Sequence, residues 1–235
     1  MKKLFTTLLR ELEANRAAVL CAIVASHGST PRGAGARMLV LEDGRTLGTI
    51  GGGAVEYRAT RLAGELLAEK ASRFETYRLS AGEVADVGMI CGGDVRVYFQ
   101  YMDPADAAAR EVLADALELL DGGHASWLVT EIAGARWRMG TCDRENGLRG
   151  LEIPPARLEP LLGSRPLLDE GETVLCAEPL TRAGTVYLFG AGHVARELAH
   201  ILAMADFRVS VYDQREQAVS KERFPEAAEL RCGSF

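Results

Sequence analysis

Between Thr185 and Asp213 the chain reads as strand, glycine turn, helix, strand and acid, an order that few folds accept. Thr-Val-Tyr-Leu-Phe (185–189) has the β-branched and aromatic bias of a strand, and Gly190-Ala-Gly192-His-Val-Ala195 follows at once. Val194, Leu198, Ile201, Leu202 and Ala205 recur on one helical face, and Arg208 to Tyr212 reads as a second strand closing on Asp213. Chemistry explains the spacing. Gly190 permits a tight turn, Gly192 lets a pyrophosphate approach the backbone, Ala195 keeps helix close to strand, and Asp213 is placed for a ribose hydroxyl. His193 lies in the turn, where it faces either a bound phosphate or the packing. A Rossmann-type βαβ unit is expected, with NAD(P) as its candidate ligand. A full sheet of that type carries about six strands. Only two are legible before the chain ends, so the unit reads as partial, and its open edge predicts a homo-oligomer.

The preceding residues predict a mixed α/β region. Leu4, Phe5, Leu8, Leu9 and Leu12 share one face of a first helix. Ala17 to Ala25 is continuously apolar, as in a strand buried on both faces. Arg37–Leu41 and Arg45–Ile50 form a hairpin about Asp43-Gly44, and Ala54 to Lys70 is an amphipathic helix. Phe74–Leu79 and the alternation of Val95, Val97 and Phe99 read as strands. Asp103 and Pro104 look like the cap and first residue of a helix that stops at Gly122-Gly123. Ser126–Ile132 and Arg136–Met139 form a second hairpin, whose Trp127 and Trp137 are expected to pack across the strands. Residues 140–171 have weak periodicity and many Gly, Pro, Arg and Glu. The domain reading is therefore 1–140, a linker and connecting strand over 141–184, and the Rossmann-type unit over 185–235.

Two features within the first region could carry chemistry. Gly51, Gly52 and Gly53 precede a helix start, so their backbone N–H groups form either an anion cradle or a turn that binds nothing. Cys91 precedes Gly92-Gly93 in a loop, where a thiol is a ligand, a nucleophile or an inert turn residue. The five cysteines are odd in number and form no Cys-x-x-Cys pair, which argues against a disulfide framework or a structural zinc site; Cys21 and Cys176 read as core thiols. A net charge of -6 argues against nucleic acid, and no apolar run reaches a membrane span. Arg10, Glu11 and Glu13 interrupt the signal-like start, so a cytoplasmic location is expected.

Gly-Ser-Thr-Pro-Arg (28–32), Gly-Ala-Arg-Met-Leu-Val (35–40), Gly-Thr-Ile-Gly-Gly-Gly-Ala-Val-Glu (48–56), Cys-Gly-Gly (91–93), Glu178-Pro179 and Leu-Phe-Gly-Ala-Gly-His-Val (188–194) resemble the XdhC/CoxI family, in family order. The resemblance implies an accessory chaperone for xanthine dehydrogenase or a related molybdenum hydroxylase, not a turnover enzyme. Such a factor would bind molybdenum cofactor, assist its sulfuration and deliver it to the apo-hydroxylase, with a cysteine desulfurase as a further partner. On that reading Gly51 to Gly53 hold the phosphate, Arg32 and Arg37 pair with the same anion, and Ser29 and His27 hydrogen-bond cofactor. Cys91 would contact the molybdenum or its sulfur. Glu56 reads as a helix-dipole partner. Two other functions stay open: an oxidoreductase using Gly190 to Asp213, and a docking scaffold with both glycine sites empty.

Overall fold

A computed structural model of the chain describes all residues except 80–91, 123, 181–182, 206 and 235. It divides into two units, Met1–Leu180 and Thr181–Phe235. The first contains α1 (Lys2–Glu13), β1 (Ala18–His27), β2 (Arg37–Leu41), β3 (Thr46–Gly48), α2 (Gly53–Glu69), β4 (Arg73–Arg78) and β5 (Asp94–Met102). It continues with α3 (Ala107–Gly122), β6 (Ser126–Ala133), β7 (Arg136–Asp143), β8 (Gly147–Arg149), α4 (Pro155–Leu158), β9 (Leu167–Glu170) and β10 (Val174–Pro179). The second unit holds β11 (Ala183–Phe189), α5 (His193–Met204), β12 (Phe207–Asp213) and β13 (Glu229–Cys232).

The first unit is built on two antiparallel sheets, ordered β3-β2-β1-β5-β4 and β8-β7-β6-β10-β9. Strand β1 lies at the centre of the first, which is why its sequence lacks alternation. Val19, Cys21 and Ile23 pack under Val55, Ala59, Leu62 and Leu66 of α2. Ala18 and Leu20 point the other way, to Phe5, Leu8 and Leu12 of α1, Leu113 and Ala116 of α3, and Leu128 and Met139 of the second sheet. Fully burying one such Leu or Phe is worth about 1.5–3 kcal/mol, so both sides hold β1 in register. The far face of the second sheet has its own core of Trp127, Val129, Leu175, Leu158 and Leu161. Trp127 also donates its indole N–H to the Gly163 carbonyl at 2.8 Å.

Three expectations need correction. Asp103 does not cap α3: its carboxylate accepts the Ala105 N–H at 2.9 Å in a local turn, and Asp106 caps the helix through the Ala109 N–H at 3.0 Å. Residues 141–184 are not a linker, because the end of β7 and strands β8, β9 and β10 all belong to the second sheet. Two of these strands have only three or four residues, too few to show a period. The C-terminal unit has three strands, not two: β13 pairs in parallel with β12 from Ser210↔Glu229 to Asp213↔Cys232. Its core is Leu188, Ala199, Val209, Val211 and Phe224, and the fold is mixed α/β with a partial Rossmann-type unit, as the pattern predicted.

Candidate functional site

Three of the glycine-bearing motifs meet at one end of the first sheet. The loop after β1 returns over Gly93, where an added Cβ would lie 2.4 Å from the His27 carbonyl and 2.5 Å from that of Ser29. Only glycine allows that approach. Gly28 contacts Gly92 and Gly93 in turn, and Pro31 lies against Gly51. Residues 28–32, 51–53 and 92–93 thus share one surface at the N-terminal end of α2. Ser29 and Arg32 are exposed there, and neither side chain has a hydrogen bond or ion pair among the described residues. His27 reaches Asp94, 3.3 Å away. Cys91, expected as a ligand, lies outside the described residues. Among the described residues no cluster of His, Cys, Asp or Glu could hold a metal ion.

The glycine cradle itself is filled from within. Gly51, Gly52 and Gly53 have φ values of 132°, 77° and 55°, a run of left-handed conformations that turns the backbone N–H groups inward. One oxygen of Glu56 accepts the Ile50 N–H at 3.0 Å, the Gly52 N–H at 2.9 Å and the Thr49 hydroxyl. The Gly51 N–H donates to Thr49 Oγ at 3.2 Å. Burial works against the Glu56 charge, but the bonds from Thr49 and the Gly52, Ile50 and Gly51 amides outweigh it and hold its carboxyl below the ordinary range. The amides of Gly51 and Gly52 are therefore taken. Of the expected cradle, Gly53 at the helix start keeps a donor with no intrahelical acceptor.

Arg37 does not face this surface. It is buried between the two sheets, paired with the equally buried Glu178 of β10, and it lies over the Phe5 ring with 5.4 Å from guanidinium to centroid. Burial draws its pKa down to about 10, so it remains a cation. Two of its nitrogens and one Glu178 oxygen have no hydrogen-bond partner among the described residues. Its role is to join β2 to β10, because a buried guanidinium needs a carboxylate more than a solvated anion does. Cys21 and Cys176 are core thiols, as their strands predicted; burial raises both pKa values, Cys176 to about 11.

The C-terminal glycine turn is also tied by an internal carboxylate. Gly190 has φ 101° and donates its N–H to the Tyr212 carbonyl at 2.7 Å. Asp213 is buried; it accepts the Ala191 N–H at 2.7 Å and is clamped by the Arg215 N–H and guanidinium at 2.8–2.9 Å. The Arg215 side chain first, then the Ala191 and Arg215 amides, hold its carboxyl well below the usual range. Both oxygens expected for a ribose are engaged within the chain. Gly190 and Gly192, by contrast, have nothing within 4 Å of an added Cβ. Gly192 caps α5 and His193, its first residue, is exposed.

Sequence reasoning underrated Glu56 and missed Arg215. The signal for Glu56 was its place in the first turn of α2, next to three glycines; for Arg215 it was a cation two residues after Asp213.

Two family models match. That of the XdhC and CoxI family covers residues 11–78, and that of the XdhC Rossmann domain covers residues 186–234. The chain is 28% identical over 225 residues to a Bacillus subtilis protein described as a probable xanthine dehydrogenase subunit, covering 93% of this chain and 66% of that protein. It is 38% identical over 95 residues to the uncharacterised Escherichia coli protein YqeB, or 40% of this chain and 17% of that one. The chain thus spans less than two thirds of either relative. A Bacillus halodurans crystal structure described as a xanthine dehydrogenase shares the fold over 97% of this chain and 68% of its own, with TM-score 0.74 and 24% identity.

Proposed function

The chain belongs to the XdhC and CoxI family, and we propose that it is an accessory factor for xanthine dehydrogenase or a related molybdenum hydroxylase, holding molybdenum cofactor for sulfuration and insertion. One observation supports the site most directly: Ser29 and Arg32 stand exposed, and unengaged among the described residues, where the three family motifs converge. A phosphate-bearing ligand fits the rim of that surface, not the glycine cradle, because Glu56 already occupies the inner amides. Arg32 would hold the phosphate with two parallel N–H bonds, Ser29 would donate its hydroxyl, and the Gly53 N–H would complete the set. Glu56 would keep the loop rigid and set the depth at which the anion stops. The bound cofactor would supply the redox metal; the residues here bind and orient.

Activation of a purified apo-hydroxylase by freshly released cofactor tests this reading, with and without the chain and under anaerobic conditions. Faster or more complete activation in its presence is the expected result, while identical time courses would contradict it. The C-terminal unit supports a second ligand reading, since Gly190 and Gly192 face open space. A nicotinamide nucleotide would lie there, with Arg215 beside its ribose.

A further inference from the structure

A cleft of about 640 Å³ lies between α2 and the edge strand β4. Four arginines line it: Arg58 and Arg61 from the helix, Arg73 and Arg78 from the strand, against two acids, Glu65 and Glu75. Arg61 lies 3.9 Å from Glu65; among the described residues, Arg58, Arg73 and Arg78 have no ion pair. Charged side chains on an edge strand can serve only to discourage strand pairing. That purpose does not require α2 to bring two more cations to the same cleft.

The backbone of β4 supplies a second, independent feature. Leu79 donates its N–H to the Gly93 carbonyl at 2.8 Å, and the antiparallel register runs Arg73↔Phe99, Glu75↔Val97, Tyr77↔Val95. Bonded pairs alternate in such a ladder, so residues 73, 75 and 77 turn their amides to β5 while Phe74, Thr76 and Arg78 turn theirs outward. Among the described residues no strand pairs with those outward groups, which form an edge beside the arginines.

We infer that this cleft docks an acidic, extended segment of a partner protein, added as a further strand on β4 with its carboxylates on Arg58, Arg73 and Arg78. Main-chain bonds to Phe74, Thr76 and Arg78 give register, and the guanidiniums select acidic side chains. The inference goes beyond the proposed function and does not depend on it.

The full chain is titrated with a fluorescent ten-residue peptide alternating Glu and Val. Parallel probes are its Gln-for-Glu counterpart, a version N-methylated at alternate backbone nitrogens, and inorganic pyrophosphate. Binding of the Glu peptide is expected, weakened about tenfold or more by the Gln exchange and by N-methylation. A double variant, Arg58→Ala with Arg73→Ala, should weaken it by a similar factor; both side chains are exposed, and unchanged thermal unfolding would confirm the fold. Equal binding of the Gln peptide or of the N-methylated peptide would overturn the proposal, as would absence of binding. Displacement by equimolar pyrophosphate would also overturn it, in favour of a small-anion site. No cofactor or hydroxylase is present, so failure here leaves the accessory reading untouched.

Discussion

At Thr49–Gly53 a carboxylate from the next helical turn takes up the amides of the loop; at Gly190–Gly192 a carboxylate from the neighbouring strand takes up one. Glu56 holds three donors, and Pro31 packs against Gly51 while Gly52 has open space beside it. Asp213 holds the Ala191 amide and shares its remaining capacity with Arg215, and an added Cβ at Gly190 or Gly192 would meet nothing within 4 Å. In both places glycine lets the backbone turn inward toward an anion, and the chain supplies that anion itself. What remains for a ligand differs: at the first loop an Arg32 and Ser29 unengaged among the described residues, at the second an open backbone and an already paired Arg215.

The sharpest way to break this contrast is a single methyl group. Gly93→Ala places Cβ within 2.5 Å of two backbone carbonyls that cannot withdraw, so a loss of about 3 kcal/mol in urea unfolding is expected. A loss under about 0.5 kcal/mol would show that the first-loop surface is looser than described. Glu56→Ala comes next. It strands the Thr49 hydroxyl and two amides, costing about 2–3 kcal/mol, and it empties the cradle. Phosphate should then stabilise the variant more than the native chain, as read by the thermal midpoint; an equal shift in both would deny the cradle any anion affinity.

Acid titration sharpens the same point. Glu56 and Asp213 both have carboxyls held below their ordinary values of about 4. Their contribution is therefore complete above that pH and lost as pH falls below it, through the lower values held in the folded state. Stability should decline below about pH 5, and Glu56→Gln should flatten part of that decline. Smallest is Gly192→Ala. Gly192 has φ -78° and free space around it, so the exchange should cost no more than about 1 kcal/mol, the value of a poorer cap.

Patterns set by one element were readable from sequence. The unbroken apolar run of β1 announced burial on both faces, and Gly190 to Asp213 announced its strand–helix–strand order. Strands β8 and β9 were not readable, since three or four residues carry no period. Pairings between distant segments were also hidden. Arg37 and Glu178 each stood inside a family motif, and nothing local distinguishes a cation that meets a ligand from one that meets a buried carboxylate. The same limit applied to Glu56: its position at a helix start was visible, its reach back over the amides was not. Hydrogen-bond partners decide whether a glycine loop is open, and those belong to the folded backbone.

The most direct measurement is anaerobic equilibrium binding of freshly released molybdenum cofactor to the native chain, to Arg32→Ala and to Arg215→Ala, with a nicotinamide nucleotide titrated in parallel. Loss of at least about tenfold in cofactor affinity for Arg32→Ala, with Arg215→Ala unchanged, is the predicted result. Cofactor affinity insensitive to Arg32, or a chain that binds the nucleotide and not the cofactor, would contradict the placement of the ligand at the first loop.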